Sequence, residues 1–478
     1  MPLRTPAQYV ESLRDGRELY FRGARVADVT THPVISKAVK LGELDFEMAE
    51  DPAHRDLAVV RGDDGSVYSR YYAIPKNADD LLARSRLIEA GTVVGKTMVI
   101  LIKEIGTDAL FALHRVLPIV DSKKKTSYLE RARAYLRHCR DEDLALAVAQ
   151  TDVKGDRNLG PAAQAHPDYY VRIVERRSDG IVVRGAKMHT TQSTNANEIV
   201  VLPTRAMTEA DADYAVSFAV PANARGLKLV ASPWGSTPKS EFEAPLSAER
   251  KLMDTVTIFD DVFVPNDRVF LAGEWEFAGP LALSFVEYHR FTAVSYKLPL
   301  VDALVGSALL LADINGISKA GHVRDKLVWL VSYAETVRAL TELAAMRARP
   351  AANGIVAPDP LTTNIAKYHF AHHYHEAVQR VQDVAGGMLV TAPAVEDFEN
   401  AEIAPLLRKY LGGRAGIDGE MRTRIMNMVA DLTTGEFGGY HSVLAVHAEG
   451  SFEAEKLMIA RSYDGRRALE YAKKLAGV

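Results

Sequence analysis

The sequence predicts an α+β fold that is mostly helical, and three observations predict it. Apolar residues recur at helical spacing up to about residue 145. From about residue 147, short alternating segments punctuated by turn residues replace them. After Gly279 helical spacing returns and holds to the end. The expected division is a helical region over 1–146, a β region over 147–277 and a helical bundle over 278–478.

Each element has a local reason. Thr5-Pro6 reads as a helix cap followed by proline at the first helical position, with Tyr9 and Leu13 behind it. Arg22 to Val29 reads as a short hairpin turning at Gly23. Leu81, Leu82, Leu87, Ile88, Val94, Met98, Leu101 and Ile105 predict long buried helices from Ala78 to Val116, and Ser127–His138 predicts another. Tyr169–Glu175, the turn Ser178-Asp179-Gly180 and Ile181–Val183 form a β-hairpin signature. Glu198–Leu202, Tyr214–Val220, Leu227–Ala231 and Thr255–Phe259 read as further strands, and Val262–Arg268 closes the β-rich part. Helices are expected over about 280–348, 360–386, 417–433 and 453–475, with Pro350, Pro358 and Pro360 marking one connection.

Composition narrows the function. A chain of 478 residues with 47% hydrophobic and 25% charged residues has the make-up of an ordinary globular protein. A net charge of -4 gives no electrostatic reason for nucleic acid. The apolar run Leu298–Ala312 is broken by Asp302 and too short to cross a bilayer, so no membrane is expected. Met1-Pro2-Leu3-Arg4-Thr5 lacks an apolar signal core, and Cys139 is the single cysteine, so no intrachain disulfide forms. The expected location is the cytoplasm.

The chemistry centres on Gln150–Arg157 followed by Arg184–Thr191. A polar turn rich in small donors precedes a strand that ends in two threonines. That pattern suits a flat polar heterocycle such as a flavin, whose ring edge needs fixed hydrogen bonds and whose face needs apolar cover. No Gly-x-Gly-x-x-Gly fingerprint for a nicotinamide dinucleotide is present.

Lys154-Gly155-Asp156-Arg157, Asp179–Lys187, Ala206–Asp211, Val264–Arg268 and Tyr288-His289-Arg290 resemble the 4-hydroxyphenylacetate 3-hydroxylase family over nearly the whole chain. That family shares its fold with the acyl-CoA dehydrogenases. The resemblance implies an N-terminal helical domain, a middle β-barrel and a C-terminal helical bundle. It also implies FAD at the junction of the last two. Gln150, Thr151 and Asp152 resemble a flavin-contacting turn, and Thr191 the residue at the flavin N5 edge. Gln382, Gly386 and Gly387 stand where a helix end meets the dinucleotide, often across a subunit boundary. Family members are usually homotetramers, dimers of dimers.

Within the family the chain looks most similar to the 4-hydroxybutyryl-CoA dehydratase/vinylacetyl-CoA isomerase branch, which holds a [4Fe-4S] cluster on three cysteines and a histidine. Those cysteines fall on Ile100, Glu104 and Tyr296, and only His289 persists. Without thiolates the cluster is not expected. A glutamate assigned to acid/base work falls near Leu444; Asp254 and Lys297 are kept. The resemblance then implies the family's other chemistry. A separate reductase supplies FADH2, and O2 yields a C4a-hydroperoxide that hydroxylates a small phenolic or heteroaromatic substrate, with His289 and Arg290 binding and deprotonating it.

Two alternatives stand beside that reading: a cluster-free dehydratase, isomerase or dehydrogenase acting on an acyl-CoA, and a non-enzymatic flavoprotein. Arg157 and Lys187 are open between ion pairing and ligand contact, Asp254 between strand capping and catalysis, Glu104 between substrate contact and pairing. His369, His372, His373 and His375 with Glu376 place two donors on each helical face, which is incomplete for zinc, so no metal is expected.

Overall fold

Thr5 sits in extended backbone, its hydroxyl accepts from the Gln8 amide, and the Gln8 side chain accepts from the Thr5 amide. This reciprocal cap, with Pro6 in the first turn, starts helix Pro6–Ser12. The computed structural model describes residues 3–62, 64–351 and 353–478. Met1 and Pro2 of the N-terminal stretch lie outside the described residues.

Helices Ser36–Glu50, Ala78–Val94, Glu104–Lys124 and Tyr128–Asp141 build the N-terminal region. The helices expected between 78 and 116 are two, Ala78–Val94 and Glu104–Lys124, with Met98 and Leu101 in neither. Residues 95–103 form a non-helical strap, although Met98, Val99, Ile100, Leu101 and Ile102 are all buried. Lys96, Thr97 and Leu101 have φ of 53°, 72° and 55°, a left-handed region that a right-handed helix cannot propagate through. Apolar spacing does not separate a buried helix from a buried strap. The strap's carbonyls are satisfied from outside: the Gln192 side chain donates to Ile100 and the Leu146 amide to Ile102.

The hairpin Arg172–Arg176 with Gly180–Thr191 forms as expected. It lies at one edge of a six-stranded sheet that continues through Asp254–Pro265, Leu227–Ala231, Glu18–Phe21 and Ala24–Arg25. The early hairpin is therefore part of this sheet, with Glu18–Phe21 parallel to Leu227–Ala231. Its turn is at Arg22-Gly23, with φ of 48° and 82°. Val269–Ala272, Val216–Pro221, Glu198–Val201 and Leu146–Ala149 make a second, four-stranded sheet.

The expected middle barrel is corrected by this topology. Closure would require hydrogen bonds between the sheets' edge strands; among the described residues the two sheets stay separate, each with two edges. They pack against each other as layers, with the rings of Phe218 and Phe259 edge to face at 5.5 Å.

The C-terminal region is helical: Ala278–Ile314, Gly321–Met346, Pro360–Ala385, Gly419–Thr433, Glu436–His447, Phe452–Ser462 and Arg466–Ala476. The span read as 280–348 breaks at Gly316, where φ is 67°. Helix Ala278–Ile314 is buried along most of its length yet carries Arg290, Thr292, Ser295 and Lys297 inward. Buried polar groups need partners, and tracing those partners leads to the site.

Candidate active site

On the sheet side, Thr191 and Asp254 are direct cross-strand neighbours. The Thr191 hydroxyl donates to Asp254 Oδ1 at 2.6 Å, and Tyr440 from helix Glu436–His447 donates to Oδ2 at 3.0 Å. A buried hydroxyl ladder stiffens the strand ends behind them: Ser193 to Thr255 at 2.7 Å, Thr255 to Thr257 at 2.9 Å and Thr257 to Thr190 at 2.9 Å. Burial, and then the Asp254 carboxylate, raise the Tyr440 pKa well above 10, so the phenol keeps its proton.

Gln150 and Thr151 follow strand Leu146–Ala149 and are half-buried. Among the described residues, neither side chain has a protein partner, so both are free to meet a ligand. Asp152 is spent inside the protein. Its carboxylate takes the Val171 amide at 3.0 Å, the Thr204 hydroxyl and the Lys187 ammonium at 2.8 Å. Lys187 also donates to the carbonyls of Gln150 and Leu202. The choice left open for Lys187 resolves to a buried ion pair with Asp152, whose amide donates to the Thr204 hydroxyl at 3.0 Å. Arg157 is exposed on the following loop.

On the helical side, His289 stacks on Phe285 at 5.1 Å. Its Nδ1 is buried and faces Asp108 Oδ2 at 3.4 Å, within ion-pair distance but without a hydrogen bond. Asp108 is held by Arg84 at 2.8 Å and Thr292 at 3.0 Å. Arg290 is turned to structural work: its Nε donates to the Glu449 carbonyl at 2.8 Å and its guanidinium reaches the Asn364 side chain. It pins the turn where Glu449 and Gly450 have φ of 58° and 119°.

That turn presents Glu449, which the sequence reading missed. The carboxylate meets the Tyr296 hydroxyl, Lys297 Nζ at 2.8 Å and Lys367 Nζ at 3.7 Å. Burial alone would raise the Glu449 pKa; the two ammonium groups outweigh it and hold it at about 2. Burial lowers Lys297 to about 8 against the pull of Glu449. The available signal was Lys297 itself, the charge within the otherwise uncharged run Phe291–Val301, which demands a counter-charge.

Between the strap and helix Glu436–His447 lies a small cavity. Thr97, Tyr296, Lys297 and His441 supply its polar lining, Phe370 and Leu444 part of its apolar wall. The Thr97 hydroxyl and both ring nitrogens of His441 are buried without partners. Burial, with Lys297 nearby, pushes His441 down to about 3, so the imidazole is neutral. A neighbouring cleft is lined by Met98, Lys251, Phe437 and Tyr440. Adjacent residues of one helix thus reach both halves of the site: Tyr440 to Asp254, His441 to Lys297.

The four positions implied for an iron–sulfur cluster do not form a ligand set. Ile100 is aliphatic and packs over Gly91; Glu104 is buried beside Tyr71, burial raising its pKa; Tyr296 is committed to Glu449. Thiolates are absent from all four, and Cys139 is buried in helix Tyr128–Asp141. The choice left open for Glu104 resolves to internal pairing.

Gln382 donates to the Thr433 carbonyl at 3.2 Å. Gly386 and Gly387 are exposed at the far end of helix Pro360–Ala385, with open space where a Cβ would stand. At a rise of about 1.5 Å per residue, Gly386 lies about 28 Å along the chain from Lys367. Within one chain these three residues are not gathered with His289. The His369 and His373 rings sit 4.7 Å apart in an aromatic cluster with Tyr333, and no group of three or more metal ligands occurs among the described residues.

Comparison with known proteins places this geometry. The N-terminal part of the 4-hydroxyphenylacetate 3-hydroxylase family matches residues 5–271 and the C-terminal part residues 278–477. The chain belongs to the 4-hydroxyphenylacetate 3-hydroxylase family. It is 34% identical to the 4-hydroxybutyryl-CoA dehydratase/vinylacetyl-CoA-Δ-isomerase of Clostridium aminobutyricum, with 100% of both chains covered. An oxygen-tolerant archaeal 4-hydroxybutyryl-CoA dehydratase from N. maritimus superposes with a TM-score of 0.93 at 31% identity, over 100% of this chain and 95% of that one. The oxygenase component of a 4-hydroxyphenylacetate 3-monooxygenase complexed with FAD superposes with 0.90 at 26% identity, over 99% and 98%. At fold level alone, a glutaryl-CoA dehydrogenase from Mycobacterium smegmatis gives 0.50 at 15% identity. The fold is acyl-CoA dehydrogenase-like.

Proposed function

We propose that the protein is the oxygenase of a two-component, FADH2-dependent monooxygenase that hydroxylates a small phenolic or heteroaromatic substrate. The carrying observation is the donor set described above: Lys297, Tyr296 and a neutral His441 converge beside Phe370 and Leu444 and suit the oxygen of a substrate. The closed cavity, about 10 Å³, has room for a water rather than a ring. The unpartnered Gln150 and Thr151 and the half-buried Thr191 fit a flavin ring edge. Reduced FAD, when bound, supplies the means of transferring one oxygen atom from O2. His289, its Nδ1 facing Asp108, takes the substrate's acidic proton at Nε2, and the Lys297 ammonium stabilises the resulting anion. The buried strap keeps bulk water out. In this reading residues 147–277 meet the ring, 278–478 provide the opposite wall and the oligomer contacts, a separate reductase delivers FADH2, and the assembly is a homotetramer in the cytoplasm.

A second reading has its own observation. The dehydratase relative acts on an acyl-CoA by its name, and Lys297 of the cavity lining holds the buried carboxylate of Glu449 behind it. Abstraction of a proton beside a thioester, without a cluster, would fall to His289 or Asp254, because a carboxylate held at about 2 is too weak a base.

One comparison decides. The protein is incubated with chemically reduced FAD, air and a panel of small phenols, and in parallel with FAD and unsaturated or hydroxylated C4 acyl-CoAs. Catechol formation supports the first reading. Acyl-CoA turnover with no phenol oxidised establishes the second and overturns the first.

A further inference from the structure

The Thr191 hydroxyl has one proton, and the structure shows where it goes. It is donated to Asp254 Oδ1 at 2.6 Å, between residues that face each other across an antiparallel strand pair. Asp254 is kept in place by a second donor, Tyr440, at 3.0 Å. The ladder of Ser193, Thr255, Thr257 and Thr190 fixes the strand ends from behind. Thr191 therefore offers an approaching group only oxygen lone pairs.

Flavin N5 changes its hydrogen-bonding sense on reduction: oxidised N5 accepts, reduced N5 carries a proton and donates. Resting on the flavin reading above, we propose that Asp254 is a positioning residue that makes Thr191 an acceptor, so that the site selects reduced flavin over oxidised flavin. An acceptor facing oxidised N5 sets two lone pairs against each other, whereas facing reduced N5–H it completes a bond, and a partly buried mismatch is costly. Selection of this kind lets the protein take FADH2 from a donor and release FAD afterwards without a change of fold.

The test is the ratio of affinities. Dissociation constants of FAD and, anaerobically, FADH2 are measured by equilibrium dialysis for the wild-type protein, Asp254→Ala, Thr191→Val and Tyr440→Phe. The wild type is expected to favour FADH2 at least about tenfold. This corresponds to a rise of about 30 mV in the bound flavin's two-electron potential. Asp254→Ala, which frees the hydroxyl to rotate and donate, and Thr191→Val, which removes it, both bring the ratio towards one. Tyr440→Phe, which leaves the Thr191–Asp254 bond, keeps most of the selectivity. A purely structural role for Asp254 would weaken both affinities alike and leave the ratio unchanged; that result overturns the proposal, as does a wild type that binds both forms equally or binds neither. Selectivity without any phenol oxidation would leave this inference standing and defeat the monooxygenase reading instead.

Discussion

A carboxylate enclosed by two lysines is stable only while its charge persists. Glu449→Gln removes the one anion that meets both Lys297 and Lys367, and breaking a buried pair from one side costs about 3–5 kcal/mol. Denaturant titration should show that loss at pH 7. The pH dependence has a definite sign. Glu449 is held at about 2 against an ordinary 4.5. Its contribution is full above the unfolded value and disappears as pH falls through the folded one. Lys297 acts the other way. Its folded pKa of about 8 lies below 10.5, so the unfolded chain binds the extra proton between those values and stability rises with pH there. A wild-type stability profile lacking the acid loss, or one shared unchanged by Glu449→Gln, would refute this assignment. His289 and Thr191 were singled out through the family resemblance, and they stand on the helical and sheet sides of the site. Glu449 was not, because its role depends on a turn that Arg290 fixes from a helix about 160 residues earlier.

The strap at 95–103 and the helix Glu436–His447 are the elements that shape the cavity, and both escaped periodicity. Met98–Ile102 of the strap is an unbroken apolar run, whose pattern does not distinguish helix from strap. Gly435, Gly438 and Gly439 depress helix propensity in the other. Gly438 is there for space: a Cβ would stand 2.7 Å from the Leu432 carbonyl. The strap ends on Lys103, buried between Asp45 and Asp143 at 2.6 Å each. Lys103→Met would leave two carboxylates facing each other without a cation. It should destabilise the protein by about 3–5 kcal/mol, or more if both carboxylates stay ionised. It should also loosen the strap, seen as faster amide hydrogen exchange at Val99–Ile102 than in helix Tyr128–Asp141. Equal protection in the variant and wild type would show that the strap is held by packing alone. The hairpins and the long helices, by contrast, were readable from turn residues and spacing, because their stabilising groups lie close in sequence.

At the scale of the molecule, the two-sheet centre carries Thr191 and Asp254 to meet a helical wall that carries His289, Lys297 and Tyr440. A closed barrel was implied by resemblance; the edges that keep the sheets apart depend on long-range pairing that one sequence does not display. The last helix, Arg466–Ala476, has no buried residue and exposes Leu469, Tyr471 and Leu475, which favours burial in an assembly. Light scattering of the wild type should give a mass of four chains. The pair Leu469→Glu and Leu475→Glu should give smaller species with an unchanged circular dichroism spectrum, and an unchanged mass would exclude this helix from the assembly. The central claim is that this site inserts oxygen into a phenol. Its most direct test is the mass of the product formed from a turned-over phenol when reduced FAD is supplied under heavy-isotope O2. The account predicts a catechol that has gained one heavy oxygen atom. A product with oxygen only from water, or no hydroxylated product from any phenol while acyl-CoAs are converted, would contradict it.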